Sequence, residues 1–211
     1  MAAAKYSSTL RAEQAAQTRQ RVLAAAAELF ATRGFTRTTL ALIAQSAGVS
    51  VETVQAQGSK RSLLSAAIHW RTFGEADENR FFSTARAREI FEAATPDEIC
   101  ARASGQVTDF NASTFRIWRT FVSAAGDDPV VDAELTELAR FIRGQCREIV
   151  AVLASRDWLR SDVPVGELGD SLWVLIGSEN YERLTVRLGW PPERYQDWLA
   201  RSLSDLLFPA D

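Results

Sequence analysis

Apolar residues recur every three or four positions along almost the whole chain, the period of helices that bury one side. Val22, Leu23, Ala26, Leu29 and Phe30 predict a first helix over about Gln14–Arg33. Gly34 then offers the left-handed residue that ends it, and Phe35 an apolar contact that folds back. Thr38-Thr39 supplies hydroxyls to open a second helix, Leu40–Ser46, with Leu42 and Ile43 facing inward. Ala47-Gly48-Val49 reads as a tight turn. Ser50 can cap a very short third helix that stops at Gly58, and Ser59 a fourth from Lys60 to about Arg80, carrying Leu63, Leu64, Ala67, Ile68 and Trp70.

Further along, Thr95-Pro96-Asp97 starts a long helix, broken at Gly126-Asp127-Asp128-Pro129. A second helix or broken pair spans about Val130–Leu159, and two more are expected over Val165–Leu188 and Pro192–Phe208. Alternating strand patterns bounded by hairpin turns are absent, so the fold class is all-α.

The short third segment, VETVQAQ, buries too little to be stable alone. Helix, Gly-containing turn and short steep helix together describe a helix-turn-helix, in which that segment enters the major groove of DNA. Helical spacing turns Val54 toward the supporting helices and Val51, Glu52 and Gln55 outward. Gln55 suits a bidentate pair with adenine, Glu52 can accept from cytosine N4, and Val51 can touch a thymine methyl. Thr38, Thr39, Ser50, Thr53 and Lys60 stand at helix N-termini, where hydroxyls, N–H groups and an ammonium suit phosphate oxygens.

Charge agrees with this division. Residues 1–73 carry nine Lys/Arg against three Glu, net +6, and the remainder fifteen Arg against twenty-four Asp/Glu, net −9. The overall −3 conceals a basic first third, suited to a polyanion. Candidate chemistry changes the picture little. The single His69 and two separated Cys, Cys100 and Cys146, give no catalytic constellation and no metal-ligand spacing, so no enzyme, metal or cofactor is expected. No apolar run reaches about 18 residues, and MAAAKYSSTLRAEQ lacks a signal-peptide core, so the expectation is a cytoplasmic protein with no membrane partner.

The stretch TRQRVLAAAAELFATRGFTRTTLALIAQSAGVSVETV, followed by GSKRSLLSAAI, resembles the tetracycline-repressor (TetR) family of bacterial regulators. One departure stands out: where that family commonly has an aromatic-rich run before the GSK, this chain has Gln55-Ala56-Gln57. The resemblance implies a DNA-binding domain over residues 1–59, with a flexible arm of about 1–13, and an effector-binding and dimerisation domain over 60–211. It implies a homodimeric repressor that leaves a palindromic operator when a small lipophilic or aromatic ligand binds. Aromatic walls for such a ligand would come from Phe110, Phe115, Trp118, Phe121 and Trp173, with Glu179 and Asn180 as polar groups. Apolar stripes on the last two helices, Leu172, Leu175, Ile176, Trp198, Leu199, Leu203 and Leu206, are expected to pair across a twofold axis. A DNA-binding protein without an effector, or a ligand-binding helical protein with weakened DNA binding, stays open.

Overall fold

The computed structural model describes residues 2–73 and 85–209, with no strand among them. Ten α-helices follow in order: α1 (Ala2–Arg37), α2 (Leu40–Ala47), α3 (Val51–Gln57), α4 (Lys60–Phe73), α5 (Ala85–Phe91), α6 (Pro96–Ala125), α7 (Pro129–Ala154), α8 (Val165–Leu175), α9 (Ser178–Tyr181) and α10 (Pro192–Leu207). A π-helical turn, Glu182–Arg187, follows α9.

The described residues divide into two compact units: 2–73 with 116–132, and 85–115 with 133–209. In the first unit α1 packs on α2 and α4, and α2 on α3. Val22, Ala26 and Phe30, four residues apart on α1, are fully buried, as are Ile43, Val54, Leu63, Leu64, Ala67 and Ile68. Helix geometry breaks at Gly34 (φ 76°), and Phe35 turns back to stack on Phe30 with ring centroids 6.0 Å apart. Helix α1 begins at Ala2, in an Ala-rich run that meets no Gly or Pro before Gly34. Packed against α1, helix α4 lies in the first unit, beyond the boundary expected at Ser59. The predicted end of this helix near Arg80 falls outside the described residues.

The second unit is built around one apolar cluster that includes Ile99, Cys100, Phe115, Cys146, Val150, Leu153, Leu168, Leu172, Tyr181, Tyr195, Leu199 and Leu203. Close approach of α7 and α8 depends on Gly169, since a Cβ there would sit 2.9 Å from the Arg147 Cα. The neighbouring Asp170 joins the same two helices. It accepts Nε and Nη2 of Arg143 at 2.7 and 2.5 Å and those of Arg147 at 2.7 and 2.8 Å. These four charge-assisted bonds hold the Asp170 carboxyl well below the usual carboxylate range.

Two expected elements differ. The single helix over Val165–Leu188 stops at Leu175, where Asn180 Nδ2 donates to the Val174 and Leu175 carbonyls at 2.8 and 3.1 Å and closes the end of α8. The helix expected to reach Leu159 ends at Ala154, and Asp157 follows with a φ of 56°.

Buried acids of the second unit predict alkaline sensitivity. Burial, with Asp97 nearby, pushes the Cys100 thiol from 9.0 up to about 11. Burial, with Asp170 nearby, takes Cys146 to about 12. Burial likewise moves the Tyr195 phenol from 10.0 to about 12. Each group is held in its neutral, protonated form by the fold. Their contribution is therefore complete below about pH 9 and declines as pH climbs through 11 and 12. The urea midpoint is expected to be lower at pH 10.5 than at pH 7.5, with the difference reduced in a Cys146→Ala variant.

Candidate nucleic-acid interface

The turn between α2 and α3 is closed by backbone geometry. Gly48 adopts φ 65° and ψ 40°, a left-handed conformation costly for any residue with a Cβ. Its N–H reaches Gln45 O at 3.4 Å, and the Val49 N–H reaches Ala44 O at 3.1 Å, the pairing that terminates a helix when the chain reverses. Thr39 caps α2, its hydroxyl accepting the Leu42 N–H at 3.2 Å. Ser50 caps α3, its hydroxyl accepting the Thr53 N–H at 3.1 Å and lying 3.1 Å from the Thr53 hydroxyl.

Helix α3 therefore has a defined inside and outside. Val54 is 0% exposed, whereas Glu52, Gln55 and Ala56 are exposed. At 100° per residue these three fall within a sector of about 100°, opposite Val54. The Gln55 amide makes no hydrogen bond among the described residues, so its donor and acceptor both remain available to a base edge. Glu52 is committed to a different degree. Its own backbone N–H and then the Ser50 hydroxyl hold its carboxyl below the usual range, so an anion already stands at the N-terminus of α3. At the other end Arg19 Nη1 donates to Gln57 Oε1 at 3.1 Å, tying α3 to α1. Gln57 thus makes a polar link at the place where the resembling family carries its aromatic run.

The structure brings Thr39, Ser50, Val51, Glu52, Thr53 and Gln55 onto the accessible side of α2 and α3, with Val51 and Thr53 half-buried at its edges. Two expected contacts do not belong there. Thr38 is fully buried, its hydroxyl donating to Gly34 O at 2.8 Å and Leu29 O at 3.2 Å, where it satisfies carbonyls freed by the break in α1. Lys60 turns inward as well: Nζ donates to Phe35 O at 3.1 Å and lies 4.3 Å from the centre of the Phe35 ring. It closes the end of α1 and shields an aromatic face.

The residues expected around an effector are divided between the two units. Trp118 and Phe121 belong to the first unit, and Phe121 is fully buried. Phe115 lies in the core of the second unit against Tyr181, centroids 5.5 Å apart. Tyr181 in turn meets Tyr195 edge-on at 5.1 Å. Phe110 and Trp173 are half-buried and Glu179 is exposed. Asn180 is engaged as the cap of α8. An open polar cleft lined by Glu89, Arg102, Gly105, Gln106 and Asp109 contains none of them. Of the expected pairing stripe, Leu172, Leu199 and Leu203 are buried in their own unit, because α8 and α10 pack on each other. Leu175, Ile176, Trp198 and Leu206 are partly buried against the same core. The strongly exposed apolar residues nearby are Val174, Val186 and Leu188.

Residues 22–67, from the middle of α1 to α4, match the family described as bacterial regulatory proteins, tetR family. That match covers the helix-turn-helix segment of the first unit. Solved structures agree in fold. A tetR-family transcriptional regulator from Rhodococcus sp. superposes with a TM-score of 0.72 at 14% identity, over 91% of this chain and 99% of that one. A transcriptional regulator from Saccharomonospora viridis in complex with choline gives 0.69 at 18%, over 92% and 100%. NalD, the secondary repressor of the MexAB-OprM multidrug efflux pump in Pseudomonas aeruginosa, gives 0.63 at 18%, over 92% and 98%. No curated protein sequence matches. The family match and the shared fold support a DNA-binding transcriptional regulator. Among the described residues no helix is long and apolar enough to cross a membrane, and no group of three His, Cys, Asp or Glu could hold a metal ion.

Sequence reasoning missed the polar ties that hold this fold: Asn111 to Tyr195, Asp170 to its two arginines, and Arg61 to Asp128. Each joins residues more than twenty positions apart, and helical periodicity carries no signal at that separation.

Proposed function

We propose that the chain is a homodimeric cytoplasmic repressor that binds a palindromic operator through α3 and is released by a small lipophilic or aromatic ligand. The observation that carries the DNA-binding part is the division of α3, with Val54 fully buried and Gln55 exposed and unengaged among the described residues. Two copies would place α3 in successive major grooves, about 34–36 Å apart. The exposed Val174, Val186 and Leu188, with the partly buried Leu175, Ile176, Trp198 and Leu206, offer the apolar surface for a second copy. For the ligand, the half-buried Phe110 and Trp173 of the second unit offer aromatic surface. The choline complex and the efflux-pump repressor among the neighbours are consistent with effector control. Release then requires the ligand to bind the free form more tightly than the DNA-bound form.

A second reading, DNA binding without an effector, is favoured by the interior of the second unit. There Phe115, Tyr181, Tyr195 and Trp198 pack ring on ring, and Asn111 is already paired with Tyr195.

A gel shift of the chain's own upstream DNA tests both. Repression predicts binding to a palindrome by two chains, with log affinity falling linearly in log salt. Displacement by an aromatic or lipophilic compound selects the first reading, and indifference to a broad panel the second. Gln55→Ala is expected to relax base preference at one position per half-site, costing about 1–3 kcal/mol of discrimination. Its salt slope should be unchanged. A steepened or flattened slope would mean that Gln55 faces phosphate instead.

A further inference from the structure

Asp128 stands at the turn between α6 and α7 and serves two partners. Oδ1 accepts the Val130 N–H at 3.0 Å, capping α7, and Oδ2 meets Arg61 Nη2 at 2.5 Å. The Asp128 side chain is 17% exposed and that of Arg61 47%, so the pair is half sheltered from water. Burial alone would raise the Asp128 carboxyl, but the bonds from Val130 and Arg61 outweigh it and leave the group below its ordinary value. Arg61 lies in the first turn of α4, and only Gly58-Ser59 separates α4 from α3.

The same corner is fastened a second time. On α6, the Thr120 hydroxyl donates to the Phe30 carbonyl of α1 at 2.9 Å. Ile117, Phe121, Ala124 and Ala125 of α6 and Val131 of α7 are buried. Residues 116–132 form one compact unit with α1–α4. The corner is therefore part of the DNA-binding body, and the end of α4 that it grips is the end from which α3 is suspended.

We infer that Asp128 is a positioning residue for DNA recognition: by holding Arg61 it fixes how α4 begins and thereby the pose of α3. It touches no DNA itself. Its effect passes through Arg61 and the two-residue link to the exposed Glu52–Gln55 surface. The inference rests on α3 being the DNA-reading element.

The test uses the full chain and a duplex selected from a random pool by the unaltered protein; failure to select any duplex would count against the reading of α3, not against the pair. Asp128→Asn keeps an acceptor for Val130 and removes the charge. It is expected to lower affinity for the selected duplex roughly tenfold while binding to random duplex changes little. Arg61→Gln should do the same, the double variant should lose no more than either single, and Asp128→Glu should recover most of the affinity. The slope of log affinity against log salt should match the unaltered chain in all of them. Should Asp128→Asn fail to fold, Arg61→Lys, which keeps the charge but not the planar fork, carries the same comparison. Three results would overturn the inference: unchanged affinity, equal losses on selected and random duplex, or tighter binding by Asp128→Asn with a slope about 0.9 shallower in Arg61→Gln. The last would make Arg61 a phosphate contact that Asp128 competes for.

Discussion

A V54D variant is expected to lose operator binding by more than a hundredfold while the second unit melts as before. Val54 is fully buried, the one buried side chain of a seven-residue helix. A carboxylate there has no partner, and an uncompensated buried charge costs roughly 3–5 kcal/mol. Helix α3 has little to set against that loss. Two turns are unstable alone, and its other fastenings include only light ones on α3 itself, the Ser50 cap and the exposed Arg19–Gln57 hydrogen bond. The chain relieves the strain by protonating the new carboxylate, which leaves a polar group still out of place, or by swinging α3 away from α2, and the swing removes Glu52 and Gln55 from their common surface. Comparing gel shift with thermal unfolding checks this. Binding within about threefold of the unaltered chain would show that α3 does not need its seat.

The second large effect lies in the other unit. Asn111, 2% exposed, donates to the Ile176 carbonyl at 3.0 Å and to the Tyr195 hydroxyl at 3.3 Å. N111L keeps the branching of the side chain and removes both bonds, leaving the buried Tyr195 phenol without this partner and the Ile176 carbonyl without its donor. The expected cost is about 2–4 kcal/mol, or a fall of roughly 5–10 °C in the melting midpoint. Adding Tyr195→Phe removes one orphaned group, so the double variant should be less destabilised than the two single losses summed. Strict additivity would mean that Asn111 and Tyr195 are not coupled.

The two variants act on parts of the chain that differ in how far they could be read beforehand. In the first unit the signals are local. Thr39 and Ser50 cap, Gly48 reverses the chain, and Val54 completes an apolar face, so the boundaries of α2 and α3 follow from neighbours in sequence. The all-α class follows from the same periodicity. Where two residues carry the same local signal, that logic cannot separate them. Thr38 and Thr39 both look like caps, and only the path of α1 past Gly34 turns Thr38 inward to the Leu29 and Gly34 carbonyls. Lys60 likewise reads as a phosphate contact at a helix start until Phe35, twenty-five residues earlier, is placed beneath it.

In the second unit the obstacle is the amphipathic stripe itself. Leu172, Leu199 and Leu203 satisfy helical spacing whether they face a partner or their own core, and they face the core. Val174, two positions from Leu172, is the exposed one, and nothing in spacing alone distinguishes them. The break after Leu175 depends on Asn180 reaching back to two carbonyls, a contact that an otherwise unbroken apolar pattern conceals.

The central claim is that the exposed side of α3 reads bases in a duplex. Photocross-linking tests it most directly, with a photoactivatable group placed on a Gln55→Cys variant and, separately, on an Asp197→Cys variant of the second unit; both positions are exposed, and Cys100 and Cys146 are buried. On the chain's own upstream DNA, position 55 is predicted to cross-link to bases at two places about one helical turn apart, and position 197 to yield none. Cross-links from position 197 with none from position 55 would contradict the account.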